Sequence, residues 1–490
     1  MTAPETAAPA ADPGARRDAL VVAAIALLAR LAVVAWAAPR IPPAADGTYY
    51  QTIAERIARG LGYTWLWPDG AVTYAAHYPV GYPAMVGGVY ALAGAHPGAA
   101  MALNAALGAL AAFAAHRLAA RAAPRRIALA AGLLVALHPG LLAYTPALMT
   151  EGVTAALLAA GAAVAASFAG SPSRGAVVRG AIAAGAVLGV ATLVRPQSIV
   201  LAPLFALAAA LAPPRADNAK ESPSLPASPA GARTRRALLA ALLATLSALA
   251  VCAPWTARNC VRMKRCALVS VNGGWNLLIG ADEASTGAWS PIKVPEACRE
   301  VYDEAEKDQC FGREARRYIR EHPGTWLSLV PRKLAATFDY AGAGGWYLHE
   351  ANPGAFPTRA KEILGAAETL YERVLLVAAL VWSARKGPRR PLRLALAIGG
   401  ALGALSLHAW IGYAALTAAI LAEGRALLRG PFLPIATALT VGSTLIIHAV
   451  FFGAGRYSLV VFPLVSALGA LAFSPGRRGD KGQGEAREVA

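Results

Sequence analysis

Charged residues interrupt the long apolar stretches of this chain at places where hydrophobic sequence would otherwise continue. Asp46 is the first acidic residue after the first apolar run, and Glu151 directly begins another run. Arg195, Arg258 and Arg456 also stand at the ends of apolar runs. A carboxylate can take a proton from a hydroxyl group, and the planar fork of arginine can donate paired hydrogen bonds to phosphate. These residue types together suit the transfer of a group away from a phosphate.

Each of these residues also has a plainer interpretation. Asp46 precedes an amphipathic stretch, and an aspartate at that place can cap the free amide groups of a helix. Glu151 can reach headgroup water from the end of a span, although ionisable residues at such positions are functional candidates by default. The arginines can extend their charged ends to lipid headgroups. Residue type alone leaves both interpretations open.

Aromatic residues lie near these charges in the sequence. Tyr49, Tyr50, His77, Tyr82 and Tyr457 are predicted to line a substrate cavity. The alternative is an aromatic belt, in which such side chains anchor the protein at the membrane surface.

The elements that hold these residues follow from the apolar runs. The chain has 490 residues, of which 57% are hydrophobic and 15% charged, against roughly 25% charged in soluble proteins. Runs of about 20 apolar residues can cross a bilayer as helices. We predict an all-α polytopic membrane protein with about twelve transmembrane helices and helical loops on the outer face. The predicted spans are 19–38, 98–116, 127–145, 151–170, 180–194, 198–212, 237–254, 368–384, 392–408, 410–423, 432–452 and 457–473.

The positions of Lys and Arg predict the orientation of these spans, because positively charged short loops face the cytoplasm. The basic loops lie within 117–126, 174–179, 215–236, 385–393, 425–429 and 477–481. Both termini are therefore predicted to be cytoplasmic, with the protein in the plasma (inner) membrane and its active site on the outer face. The net charge of +18 then marks the cytoplasmic side, and a nucleic-acid partner is not expected.

Five parts follow from this topology. They are a cytoplasmic tail 1–18, a membrane core 19–254 with an outer loop 40–97 and a Pro- and Ser-rich linker 213–236, an outer helical segment 255–367, C-terminal spans 368–473, and a cytoplasmic tail 474–490. Within the outer segment, residues 311–320 predict a short basic amphipathic helix, and residues 325–338 predict an interfacial helix.

Four of the five cysteines fall in the predicted outer segment, where an oxidising compartment permits disulfides. We favour a bond between Cys298 and Cys310, because both flank one short acidic helix; Cys260 with Cys266 is a further pair. Cysteine and histidine spacing does not indicate zinc, so structural disulfides are favoured over a metal site.

An ordered set of short motifs resembles the GT-C glycosyltransferases that use phospholipid carriers. This group includes protein O-mannosyltransferases, the lipid A aminoarabinose transferase and bacterial relatives of family 39. The resemblance covers about 20–345 and 440–473. The matching motifs begin at Asp46, Gly60, Tyr78, Met149, Leu193, Pro254, Asn272 and Arg456.

The resemblance implies a polyprenyl-phosphate sugar donor and an inverting transfer to a glycan, lipid or protein acceptor. It also implies that no cofactor and no catalytic metal are required. Asp46 would be the general base and Glu151 a second acidic residue near the site, while Arg195, Arg258 and Arg456 would contact the donor phosphate. Gly47 stands where protein O-mannosyltransferases resemble one another in having a second acidic residue, which argues against a protein acceptor. Val80 replaces a common proline.

A flippase or secondary transporter for lipid-linked sugars is the alternative function. Transporters favour ionisable residues near the middle of the membrane. Here the charges stand at the outer ends of spans, and this distribution favours the enzyme.

Overall fold

The chain is described by a computed structural model that covers residues 13–213, 230–281, 284–385 and 387–474. The predicted tail 1–18, the linker 213–236 and the tail 474–490 lie wholly or partly outside the described residues.

Helices dominate the described residues, and this confirms the all-α class. The first nine are α1 (Pro13–Ala37), α2 (Asp46–Ala58), α3 (Gly81–Ala93), α4 (Pro97–Ala119), α5 (Arg125–Ala136), α6 (Pro139–Ala143), α7 (Thr150–Phe168), α8 (Arg174–Val194) and α9 (Leu201–Leu211). Next come α10 (Ala230–Arg262), α11 (Gly273–Ile279), α12 (Glu304–Glu321), α13 (Pro323–Ser328), α14 (Val330–Phe338) and α15 (Ala343–Ala351). The last are α16 (Thr358–Ser383), α17 (Arg390–Leu405), α18 (Ala409–Leu421), α19 (Phe432–Val450) and α20 (Phe462–Ala470).

Short elements complete the described fold. Five 3₁₀ helices span Pro196–Val200, Glu296–Cys298, Gly424–Arg429, Gly455–Val460 and Leu471–Phe473. Two strands, β1 (Thr64–Leu66) and β2 (Val72–Tyr74), pair antiparallel, with Trp65 opposite Thr73. This hairpin lies in the first predicted outer loop.

Six helices in the described residues are long and apolar enough to cross a membrane. They are Gly14–Ala37, Pro97–Ala119, Thr150–Phe168, Arg174–Val194, Gly231–Arg262 and Phe432–Val450. Three shorter apolar helices are Pro196–Leu211, Ala409–Leu421 and Phe462–Phe473. The total of about twelve spans stays a prediction.

Small residues allow the apolar helices to pack closely. On α8, Gly185 and Gly189 face α10, and an added Cβ would lie 2.3 Å from the Ala244 oxygen and 2.8 Å from the Val251 Cβ, respectively. Glycine at four-residue spacing lets helix backbones approach each other in membranes. The resulting large core includes α1, α4, α7 and α8. Two of them, α7 and α8, carry candidate site residues at their ends.

Several boundaries differ from the sequence prediction. The predicted span 127–145 is two helices, α5 and α6, separated before Pro139, which has no amide hydrogen to continue α5. The predicted interfacial helix 325–338 is likewise divided between α13 and α14, where Pro331 lies in the first turn of the second helix. Helix α10 continues to Arg262, past the predicted end of that span at 254, with Pro254 inside the helix.

A small second core stabilises the segment between α10 and α14. Leu278, Phe311 and Ala315 are buried there with Cys298 and Cys310. These cysteines form a disulfide with an S–S distance of 2.01 Å, and Cys260 and Cys266 form another. Cys252 is free and buried. Two crosslinks thus stabilise a segment that has few apolar residues of its own.

Candidate active site

Four of the five charged residues singled out by the sequence meet at one place. Asp46 begins α2, Glu151 lies in the first turn of α7, and Arg195 directly follows α8. Arg456 comes from the 3₁₀ helix Gly455–Val460. Helix ends that are far apart in the sequence therefore bring two carboxylates and two arginines together.

Asp46 is bound by two side chains. Its Oδ2 lies 2.7 Å from Nη2 of Arg456, and its Oδ1 accepts a hydrogen bond from the Tyr78 hydroxyl at 3.2 Å. The alternative role as a helix cap is wrong, because Ala45 holds the N-cap position and no side chain caps α2. The Asp46 side chain is 31% exposed. Its carboxylate can therefore be reached from outside the protein.

Glu151 is a buried counter-ion for both arginines. Its side chain is 2% exposed, and its Oε1 lies 3.0 Å from Arg195 Nη2. Nε of Arg456 is 3.3 Å from the same oxygen, an ion pair that lacks hydrogen-bond geometry. The Tyr144 hydroxyl donates to Oε2 at 3.0 Å. The helix dipole of α7 adds favourable potential at this end.

Both arginines keep part of their surface exposed. The side chains of Arg195 and Arg456 are 13% and 17% exposed. The Arg195 guanidinium lies over the Tyr457 ring at 4.6 Å, and Tyr457 stacks on His448 with ring centroids 4.6 Å apart. Because the two carboxylates balance the two arginines, an added phosphate has to compete with Asp46 for Arg456.

Aromatic rings form a wall beside Asp46. Tyr78 stacks on Tyr49 at 5.3 Å and meets Tyr50 edge-on at 5.2 Å. Burial, together with the charge of Asp46, raises the pKa of Tyr78, so this phenol keeps its proton and donates a hydrogen bond to the carboxylate. Tyr49 is 48% exposed. The wall thus has an accessible aromatic surface next to the carboxylate.

His77 and Tyr82 differ in their relation to the site. Burial lowers the pKa of His77 to about 4, against the opposing influence of Asp46, so its ring is neutral at physiological pH. The ring packs between Tyr78 and Trp275. Tyr82 is fully buried, and its hydroxyl donates to Asn104 Oδ1 at 3.2 Å. Tyr82 therefore supports the wall from behind.

Arg258 is not brought to the carboxylates. Its guanidinium donates to the carbonyl oxygens of Ala75 at 2.8 Å and Tyr63 at 2.9 Å. It also lies over the Trp255 ring at 4.6 Å. These contacts fasten the end of α10 to the loop before Tyr78. The proposed contact of Arg258 with the donor phosphate has no support in this geometry.

A cleft opens beside the cluster. Tyr144, Met149, Gly152, Val153 and Arg30 are among the residues that line it, and its empty volume is about 410 Å³, including space open to solvent. Arg30 is almost fully buried and donates to the Ala136 carbonyl oxygen at 2.7 Å, at the C-terminus of α5. Its charge is therefore directed toward the end of a helix.

Two tyrosines of the site were missed as site residues by the sequence analysis. Tyr78 begins one of the motifs that resemble the GT-C glycosyltransferases, so the sequence marked it as a candidate, but its hydrogen bond to Asp46 was not predicted. Tyr144 lies seven residues before Glu151, and no local pattern distinguishes it from a belt tyrosine. Among the described residues, no group of three or more His, Cys, Asp or Glu side chains could hold a metal ion.

Comparison with known proteins found similar solved structures. No family model and no curated protein matches the chain. The archaeal oligosaccharyltransferase AglB from Archaeoglobus fulgidus, in complex with an inhibitory peptide and a dolichol-phosphate, is 13% identical with a TM-score of 0.44; the match covers 93% of this chain and 50% of that one. ArnT from Cupriavidus metallidurans in the apo state is 16% identical with a TM-score of 0.39, over 92% of this chain and 76% of that one. ArnT bound to undecaprenyl phosphate is 15% identical with a TM-score of 0.39, over 92% and 77%.

Both similar proteins are GT-C glycosyltransferases. The chain spans about half the length of the oligosaccharyltransferase that it matches.

Proposed function

We propose that this chain is an integral membrane glycosyltransferase that moves a sugar from a polyprenyl-phosphate donor to an acceptor on the outer face of the membrane. The observation that carries the proposal is one accessible carboxylate beside two arginines that share a buried counter-ion. Asp46 is 31% exposed and Glu151 only 2%. Asp46 can reach an acceptor hydroxyl, whereas Glu151 cannot.

The reaction assigns one task to each group. Asp46 takes the proton of the acceptor hydroxyl as its oxygen attacks the anomeric carbon of the sugar. The bond from that carbon to the phosphate oxygen breaks, and its electron pair leaves with the polyprenyl phosphate. Attack from the side opposite to the phosphate inverts the anomeric configuration. The products are the glycosylated acceptor, polyprenyl phosphate and a protonated Asp46.

Arg195 and Arg456 stabilise the leaving phosphate in this proposal. A guanidinium has five N–H donors, and Glu151 lies against one nitrogen of each arginine, Nη2 of Arg195 and Nε of Arg456. Fixed cations that face developing negative charge lower the barrier. Glu151 then serves to orient the two arginines.

Two observations support the proposed placement of the site on the outer face. The basic loops of the sequence lie on the opposite side of the predicted spans. Both disulfides lie in the predicted outer segment, and disulfides persist in oxidising compartments. We therefore place the protein in the plasma membrane with both termini in the cytoplasm.

We expect the reaction to need no metal ion, because the arginines supply the positive charge. The sugar, the class of acceptor and the length of the carrier stay open in this proposal. Gly47 favours a glycan or lipid acceptor over a protein.

Transfer of label from a polyprenyl-phosphate sugar pool to membrane glycans or lipids tests the proposal. The purified protein in liposomes should transfer label, with EDTA present, and should release polyprenyl phosphate. Movement of the labelled donor across the bilayer without any glycosylated product would instead identify a flippase.

A further inference from the structure

Tyr347 lies between the two segments that hold the carboxylates. The residue belongs to α15 and is fully buried. Its hydroxyl oxygen accepts hydrogen bonds from the amide of Ala44 at 3.1 Å and from the amide of Leu148 at 3.3 Å. Ala44 precedes Asp46 by two residues, and Leu148 precedes Glu151 by three. One hydroxyl group therefore links both carboxylate segments.

The packing at this junction leaves no space for a side chain at position 47. A Cβ on Gly47 would lie 2.9 Å from the Tyr347 hydroxyl oxygen and 3.1 Å from the Leu148 carbonyl oxygen. Contacts this short force neighbouring atoms to move. This close approach gives a physical reason for glycine directly after Asp46.

The backbone beside Asp46 is strained. Ala45 has φ 51° and ψ −131°, a conformation that a residue with a Cβ rarely adopts. Strained residues persist where surrounding contacts hold them. Here the neighbouring Ala44 amide is held by Tyr347, and the Ala45 carbonyl oxygen accepts from the Thr48 hydroxyl at 2.9 Å. The strain therefore depends on the junction for its support.

A buried carboxylate fixes Tyr347 itself. Glu368 on α16 accepts hydrogen bonds from the amides of Gly344 at 3.1 Å and Gly345 at 2.9 Å, at the start of α15. The Tyr347 ring also meets the Tyr144 ring edge-on at 6.0 Å. Tyr144 donates a hydrogen bond to Glu151, so Tyr347 supports the carboxylate cluster on both sides.

We infer that Tyr347 is a positioning residue for the transfer reaction: its hydroxyl fixes the spacing between Asp46 and the group formed by Glu151 and the arginines. The role in catalysis rests on the proposed function, whereas the link between the two segments does not. Tyr347 acts through Ala44 and Leu148 and does not touch the substrate.

The first test measures amide hydrogen exchange in full-length protein in lipid nanodiscs. Tyr347→Phe removes the shared acceptor, so the amides of Ala44 and Leu148 should both exchange at least about tenfold faster. Tyr413→Phe is the matched control, since Tyr413 is also buried and its hydroxyl binds Glu372 at 2.6 Å. The control should leave both amides unchanged. Unchanged exchange at Ala44 and Leu148 in Tyr347→Phe would overturn the link.

The second test measures transfer kinetics per folded molecule. Tyr347→Phe should lower kcat by about tenfold or more, with KM for the polyprenyl-phosphate sugar within about twofold, because positioning affects the transition state more than donor binding. An unchanged kcat together with faster exchange would reduce Tyr347 to a structural role. If the wild-type protein transfers no sugar, the proposed function fails while the exchange experiment still decides the link.

A second variant covers the case in which Tyr347→Phe does not fold. Gly47→Ala adds a methyl group against the same hydroxyl and leaves Tyr347 in place. It should speed exchange at Ala44 and lower kcat in the same direction. Wild-type exchange and kcat in Gly47→Ala would contradict the inference.

Discussion

Replacement of Asp46 by asparagine separates catalysis from binding and folding. The change keeps the shape of the side chain and removes its charge and basicity. The amide oxygen can still accept from Arg456, and the amide nitrogen can donate to the Tyr78 oxygen. In the wild type, the Asp46 carboxylate lies 2.7 Å from Arg456 and 3.2 Å from the Tyr78 hydroxyl, and asparagine can make both contacts. The geometry of the site should therefore survive.

The expected magnitudes differ by property. Loss of a general base lowers kcat by about 10²- to 10⁴-fold, or roughly 3 to 5 kcal/mol in the barrier. Stability should change by no more than about 1 kcal/mol, because the pair is partly exposed. Arg456 also keeps its ion pair with Glu151 at 3.3 Å. Loss of the negative charge at position 46 weakens the attraction of this side chain for Arg456, so donor affinity should stay unchanged or rise by up to about fivefold.

The assay compares three readings on the purified protein in detergent or nanodiscs. They are the initial rate of sugar transfer, the affinity for undecaprenyl phosphate by native mass spectrometry, and the midpoint of thermal unfolding. Asp69→Asn is the control, since Asp69 is exposed in the turn between β1 and β2. Full transfer by Asp46→Asn would remove Asp46 from the role of base. Joint loss of transfer, donor binding and stability would make its role structural.

Three further predictions concern the cations and one buried carboxyl group. Arg456→Lys should weaken undecaprenyl phosphate binding by about tenfold at unchanged thermal stability, because lysine lacks the bidentate fork; wild-type affinity would contradict phosphate contact. Arg258→Met should lower the free energy of unfolding by about 2 to 4 kcal/mol, since three hydrogen bonds from a charged group, to Ala75, Tyr63 and Asn259, are lost; lower donor affinity of the folded variant would return Arg258 to the phosphate site. Burial raises the pKa of Glu304 to about 7, above its ordinary value of 4.5. The folded protein therefore favours the protonated Glu304 carboxyl group. Its contribution to the stability of the fold is fully present below pH 4.5 and is lost as pH rises through 7, because the group then ionises. Between pH 5 and pH 8 the wild type should therefore lose at most about 3 kcal/mol of its free energy of unfolding relative to Glu304→Gln, and its thermal midpoint should fall accordingly. Parallel curves of thermal midpoint against pH for the two proteins would refute this.

The apolar runs were sufficient to predict the class of fold. The run 19–38 coincides with most of α1, and the run 180–194 ends where α8 ends. Hydrophobic length is a local property, so a single sequence reveals it. The hairpin at 64–74 lies inside the predicted outer loop 40–97 and was not predicted, because its strands are only three residues long and too short for an alternating pattern.

The charged residues of the site could be selected as exceptions to a charge pattern, but their partners could not. Arg195 and Arg456 stood out because the short loops on the predicted outer side otherwise lack basic residues. Arg258 was selected only for its place near the end of a predicted span, and its contacts with carbonyl oxygens depend on where the loop before Tyr78 folds. Residue type does not distinguish a carbonyl partner from a phosphate.

Tyr347 shows most clearly which contacts a sequence alone cannot predict. Its hydroxyl binds Ala44, 303 residues earlier in the chain. No spacing rule connects residues at such a separation. Gly47 carried a signal of this contact, since it departs from an acidic residue in a resembling family, but the cause became visible only with the packing at the junction.

The central claim is sugar transfer from a polyprenyl phosphate with Asp46 as base. Mass spectrometry of surface glycans and glycolipids tests it most directly, in host cells that lack the chain and are complemented with wild type or Asp46→Asn. The account predicts that one sugar is missing without the chain, returns with wild type, and stays missing with Asp46→Asn while the polyprenyl-phosphate sugar accumulates. Identical glycan and glycolipid profiles in all strains, or full restoration by Asp46→Asn, would contradict it.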